Sequence, residues 1–339
     1  MAKLQSAVFY HTQPYKQYTD KSILTKIVKR NVYLSNEINN VAIINSILHH
    51  KSFFYNFNTV QDLNITKFSN TTHYLKTGQT ICHDKTALLE FDSRKMVCIN
   101  IYFKTISCPR KYVYQLIYFY THLLEAIALL VTSNIIHNNI NFSTIIIENN
   151  ETSMLENFTF SINMHNINDT IYIRQFFINY QPSYDEWPME FHILSYLLTN
   201  NLHSLSYSNI NFVINDVAHY HFMNSFDAEI ITNYKSLAFA YFKKYINKSY
   251  EYIIDDIAKF YNTWDNYALS ITYLRMLICI HSAKNNSQNQ FITLFIQLLV
   301  TNIHFNPTLR LSIKNTTNKF GELLSSCNCD NLHSLIQTI

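Results

Sequence analysis

Glycine is almost missing from this chain, with two residues among 339. A loop that brings its backbone close to phosphate normally needs glycine, because a Cβ blocks the approach. Mechanisms built on a glycine-rich phosphate cradle are therefore disfavoured from the start. Proline is scarce as well, with five residues, and only 14% of the chain is charged. The net charge of +3 is too weak to favour nucleic acid or an anionic membrane. No basic run carries interleaved aromatics, so a nucleic-acid partner is not expected. The six cysteines (Cys82, Cys98, Cys108, Cys279, Cys327, Cys329) are scattered, and only Cys327 and Cys329 lie close together. No second pair completes a zinc site, so no metal is expected and free thiols in a reducing compartment are the expectation. The opening MAKLQSAVFYHTQPYK lacks the apolar core of a secretion signal. The longest apolar runs, near Leu123–Val131 and Phe291–Val300, carry Glu125 and Gln297 and read as too short to span a bilayer. The glycosylation-type sequons at Asn64 and Asn247 then read as chance in an Asn-rich chain.

What is present is apolar: 48% of residues are hydrophobic, enough to bury a core. The length suits two modest domains or one bilobal one. Ile23–Val28 is predicted as a strand. Ser35 is the predicted N-cap of a following helix, with Ile38, Val41, Ile44 and Leu48 on one face. Phe53–Phe57 and Met96–Phe103 are predicted strands. After Pro109 the pattern changes to a long helix over Lys111–Thr132, with Leu116, Tyr120, Leu123, Ile127 and Leu130 on one stripe. A polar loop from Ile136, a β-branched strand at Ile145, a turn and a second short strand follow, then a loop to about Asp185. Beyond Glu186 helices are predicted over Glu190–Thr199, parts of Asp216–Tyr261, Asp265–His281, Gln288–Asn302, and a closing helix near Leu332. The fold class is α+β, divided near Thr105–Pro109 into residues 1–105 and 106–339.

The stretch from Leu123 to Ser161 organises the rest. A polar loop held between two apolar elements is rigid, and rigid loops commonly carry chemistry. It reads His137-Asn138-Asn139-Ile140-Asn141-Phe142-Ser143-Thr144, then Ile145-Ile146-Ile147, then Asn157-Phe158-Thr159. This resembles a protein kinase, whose catalytic loop H-R-D-L-K-x-x-N precedes an apolar strand and then D-F-G. Asn157 follows Asn139 by eighteen residues, the family's usual spacing between its two aspartates. Trp187-Pro188-Met189-Glu190 resembles A-P-E. Asp265-Asn266-Tyr267-Ala268-Leu269-Ser270 resembles D-x-W-S-L-G, and Asn306-Pro307-Thr308-Leu309-Arg310-Leu311 resembles D-P-x-x-R-L. The wording around these motifs is most similar to kinase-like proteins of large nucleocytoplasmic DNA viruses. The likeness covers roughly residues 20–320. It implies a bilobal fold with a small β-rich N-lobe and a larger helical C-lobe. Glu190 and Asp265 lie further apart than in most kinases, which implies a helical insertion at about residues 200–260.

The resemblance also says what is lost. Phosphoryl transfer is mostly positioning and charge neutralisation. The proton-accepting aspartate is Asn139, whose amide takes no proton near neutral pH. The loop lysine is Asn141. The two metal-holding positions are Thr144 and Asn157, both neutral where magnesium favours carboxylate. His137 packs structurally in the family and is no base. The implied nucleotide contacts are Lys26, with Lys29 as an alternative register, and Glu37. The residues where a phosphate-covering loop belongs, Phe9 to Tyr15, hold no glycine, so bound ATP or magnesium is not expected. Glu190, Arg310 and Asp265 are implied to brace the large lobe. The expectation is a pseudokinase acting as a protein-binding scaffold or virion component, in the virion or the host cytoplasm. The alternative is an atypical, weakly active serine/threonine kinase.

Overall fold

The computed structural model describes residues 23–63, 86–149, 151–177, 180–220, 227–283 and 289–326. The protein is mixed α+β. Strand β1 (Ile23–Lys29) leads to helix α1 (Val32–Asn45), then β2 (Phe54–Tyr55), β3 (Thr59–Leu63), β4 (Thr86–Asp92) and β5 (Met96–Cys98). Helices α2 (Ile99–Thr105) and α3 (Pro109–Thr132) precede four short strands: β6 (Ile135–Ile136), β7 (Ile145–Glu148), β8 (Ser153–Glu156) and β9 (Ile162–Asn163). The rest is helical: α4 (Thr170–Phe177), α5 (Met189–Thr199), α6 (Tyr207–Tyr220), α7 (Ala228–Phe242), α8 (Tyr250–Ala258), α9 (Trp264–Ala283), α10 (Gln290–Asn302) and α11 (Ile313–Ser326). Strand β4 is central to an antiparallel sheet of order β1-β4-β3, with Lys26 opposite Leu89. A second sheet has the order β2-β8-β7-β5, and β6 pairs with β9.

Helix α3 is the axis of the main core. Leu116, Tyr120, Leu123, Ile127 and Leu130 are all fully buried, as one apolar face at helical period requires. The Tyr120 ring meets Tyr273, Phe295 and Phe320 edge-on at 4.7, 4.9 and 4.7 Å. Such edge contacts add about 0.5–1.5 kcal/mol each beyond area burial. At 24 residues, α3 is long and apolar enough to cross a membrane by length and composition alone, as core helices of soluble proteins also are. Half of its most apolar window is buried inside the protein.

Several local expectations are corrected. Asn31, not Ser35, caps α1, accepting from the Leu34 amide at 2.9 Å. Leu48 lies beyond α1 and is 78% exposed. Met96–Phe103 is not one strand: it turns at Cys98 into α2, which buries Ile99 and Phe103, four residues apart on one face. The stretch expected as loop up to Asp185 holds β9 and α4. Helix α11 was not foreseen, because its buried positions Ile313, Thr316, Phe320 and Leu323 are diluted by polar neighbours. The closing helix near Leu332 and the loop Phe9–Tyr15 lie outside the described residues.

Asparagine takes over glycine's conformational role. Seven described non-glycine residues have positive φ, and five of them are Asn134, Asn138, Asn157, Asn201 and Asn247. Asparagine tolerates the left-handed region better than other L-residues because its short amide bonds locally.

Candidate functional site

Strands β6 and β7 flank the polar loop, and Asp265 in the first turn of α9 bonds its backbone. The backbone amides of His137 and Asn138 donate to the two Asp265 carboxylate oxygens at 2.7 and 2.9 Å. Asp265 is buried. Burial pushes its pKa up to about 6, against the pull of those two amides. The His137 ring sits edge-on to Phe158 at 4.8 Å, and its Nε2 lies 3.0 Å from the Glu156 carbonyl. A carbonyl only accepts, so Nε2 carries the proton. Burial drives the His137 pKa down to about 4, which keeps the ring neutral at physiological pH. It is a packing element, and its buried Nδ1 has no partner among the described residues.

The loop interior satisfies itself. Asn139 Oδ1 accepts from the Tyr184 hydroxyl at 2.6 Å and from Asn141 Nδ2 at 3.0 Å. Asn141 Oδ1 accepts from the Ser143 amide at 2.8 Å and the Ser143 hydroxyl at 2.6 Å. The Thr144 hydroxyl donates to the Asn139 carbonyl at 2.6 Å and accepts from the Asn141 amide at 3.0 Å. The Trp187 indole donates to the Asn138 carbonyl at 3.2 Å. The side chains of Asn139, Asn141 and Thr144 are thus committed to holding the loop. Asn157 differs: it takes φ 66°, and its buried Oδ1 finds no partner among the described residues.

Helix α1 lies against the segment after Asn157. Thr159 Oγ1 donates to Glu37 at 2.9 Å, while Asn36 and Asn40 both donate to the Ser161 carbonyl, at 2.8 and 3.0 Å. Burial pushes the Glu37 carboxyl up to about 7, with bonds from Thr159 and the Phe158 backbone and the Lys26 charge opposing it. Glu156 is raised by the same cause and lowered by the same lysine. Lys26 thus lies within electrostatic reach of both carboxyls. Its ammonium also sits over the Phe91 ring, 4.6 Å from the centroid, a cation–π contact.

Glu190, in the first turn of α5, and Arg310 form a fully buried fork, with Nη1 and Nη2 donating to the two carboxylate oxygens at 2.6 and 2.8 Å. Trp264 Nε1 adds a third bond to Glu190 at 3.2 Å. The remaining Arg310 donors reach the carbonyls of His304 and Phe305, at 2.6 and 3.2 Å. A second bridge was not foreseen: Arg275 of α9 grips Asp185 at 2.6 Å and Glu186 at 2.5 Å. Together with Tyr184 and Trp187, it clamps residues 184–187 between the polar loop and α9. Tyr184 lies 45 residues from Asn139 and no local pattern marks it.

The structure therefore brings His137, Asn139, Asn141, Thr144 and Asp265 together at one loop, and Lys26, Glu37 and Glu156 beside the segment that carries Asn157. Glu190 and Arg310 meet beneath α5. No group at Asn139 can take a proton, and no charge stands at Asn141. Among the described residues, no cluster of three or more His, Cys, Asp or Glu forms a metal-ligand set. No protein-family model and no curated protein matches the chain.

Proposed function

We propose that this protein is a catalytically inactive, protein kinase-like scaffold: a pseudokinase that holds another protein in a virion or in host cytoplasm. In this reading residues 1–105 form the small lobe and residues 106–339 the large one, with α6 to α8 as the insertion at about 200–260. One observation carries it. The Asn139 carboxamide, at the position of the family's proton acceptor, is already bonded by Tyr184 and Asn141. An amide so placed neither accepts a substrate proton nor has a free acceptor turned to one. The bracing pairs Glu190–Arg310 and Asp265 with the loop backbone are intact, which fits a retained frame without its chemistry. Fold alone assigns no activity.

The second reading, an atypical weakly active serine/threonine kinase, draws on Lys26. Its charge acts on both Glu37 and Glu156, an arrangement compatible with nucleotide contact. A thermal-shift series with ATP, with and without magnesium or manganese, separates the two. The scaffold reading expects no metal-dependent stabilisation. A rise in melting temperature with ATP plus metal favours the kinase. A pull-down from infected cells or purified virions then tests for the protein partner.

A further inference from the structure

A recess opens between the N-terminal half of α1 and the β9–α4 segment, with a volume of about 180 Å³. Its lining is unusual in kind. Asn36, Asn39, Asn40, Asn163, Asn166 and Gln175 all contribute, and no charged side chain does. Part of this wall is locked. Asn36 accepts from the Tyr172 hydroxyl at 3.1 Å and donates to Ser161, while Asn163 accepts from the His165 amide at 3.0 Å. The side chains of Asn39, Asn166, Gln175 and Ser35 make no hydrogen bond to another described residue and remain available. Val32 and the body of Tyr172 add an apolar flank.

Each free carboxamide presents an acceptor and a donor side by side, and a hydroxyl does both. A ligand suited to them must donate and accept at adjacent atoms and carry no charge. A phosphate or carboxylate ligand lacks a cation here to meet it, and the apolar flank of Val32 and Tyr172 is too small to bed a lipid chain. A cavity near about 150 Å³ holds one six-membered ring, so this recess has room for a single substituted ring and not for an extended chain. We propose that the recess is a binding site for one neutral sugar ring. Vicinal hydroxyls bond to Asn39, Asn166 and Gln175, and the ring's C–H face lies on Val32 and Tyr172. The proposal stands apart from the kinase-like reading, since it uses none of the loop residues.

The test is saturation-transfer NMR on the full chain with glucose and N-acetylglucosamine as probes and glucose 6-phosphate as the charged comparison. The expected result is saturable binding of a neutral sugar with a millimolar Kd, the scale of a ligand this small, unchanged when salt is raised about tenfold. Replacing Asn39→Ala and Asn166→Ala together should weaken it at least about tenfold, and Ser35→Trp, which fills the recess, should abolish it. These three positions are exposed, so the melting temperature should stay put and report intact folding. Absence of saturable binding by both neutral sugars overturns the proposal. So does binding that survives the substitutions, or a preference for glucose 6-phosphate.

Discussion

Arg310→Ala is the sharpest perturbation of the buried frame around α5. The Arg310 guanidinium and the Glu190 carboxylate are both fully shielded from water, so neither is screened by solvent. Removing Arg310 leaves a buried carboxylate with the Trp264 indole as its sole remaining donor among the observed bonds. Breaking a buried pair from one side costs about 3–5 kcal/mol. Unfolding entropy of about 2.1 cal/mol/K per residue gives roughly 0.7 kcal/mol/K for a chain this long, so a loss near ~4 kcal/mol lowers the melting temperature by about 6 °C. The assay is thermal unfolding by circular dichroism at two salt concentrations, because a buried pair should be insensitive to salt. Glu190→Gln should cost a similar amount. The pair Glu190→Leu with Arg310→Met should cost less than the two single losses summed, since no charge is stranded. A melting curve for Arg310→Ala within error of the parent refutes the bracing role.

Other outcomes follow from the same geometry. Glu37 has a folded pKa of about 7 against 4.5 unfolded, so the native state holds its proton more tightly. Its contribution to stability is complete below pH 4.5 and is lost as pH rises to about 7, a change of about 3 kcal/mol. His137 and His192, both held near 4 by burial, act oppositely and add stability as pH rises from about 4 to 6.5. The difference between the parent and Glu37→Gln in urea titrations across pH 4–8 isolates the carboxyl, and parallel curves would remove this assignment. Asp265→Asn turns an acceptor into a donor facing a backbone amide and should cost about 2 kcal/mol, read as a lower urea midpoint. Tyr184→Phe deletes the bond to Asn139 and should cost about 1 kcal/mol by the same measurement; no change would mean that the loop does not depend on it.

The long periodic elements were legible in sequence, because α3 buries one stripe and α9 and α10 follow strong apolar patterns. The spacing from Asn139 to Asn157 located the polar loop, and the flanking isoleucines located its strands. Long-range polar contacts were not legible. Nothing near Tyr184 marks its bond to Asn139, and Arg275 carries no local sign that it will grip Asp185 and Glu186. The split of Met96–Phe103 into β5 and α2 was hidden because an apolar run of that length suits either structure until its partners are known. That Thr144 and Asn157 are neutral was legible; that the Thr144 hydroxyl bridges the Asn139 carbonyl and the Asn141 amide was not.

On the pseudokinase proposal, the loop keeps its shape without its chemistry. The direct measurement is transfer of the γ-phosphate of ATP to the protein itself and to generic serine- and tyrosine-containing substrates, with magnesium and with manganese, at high protein concentration. A pseudokinase transfers no phosphate above a no-protein control. Time-dependent, metal-dependent phosphate incorporation that is lost on Lys26→Ala would contradict it.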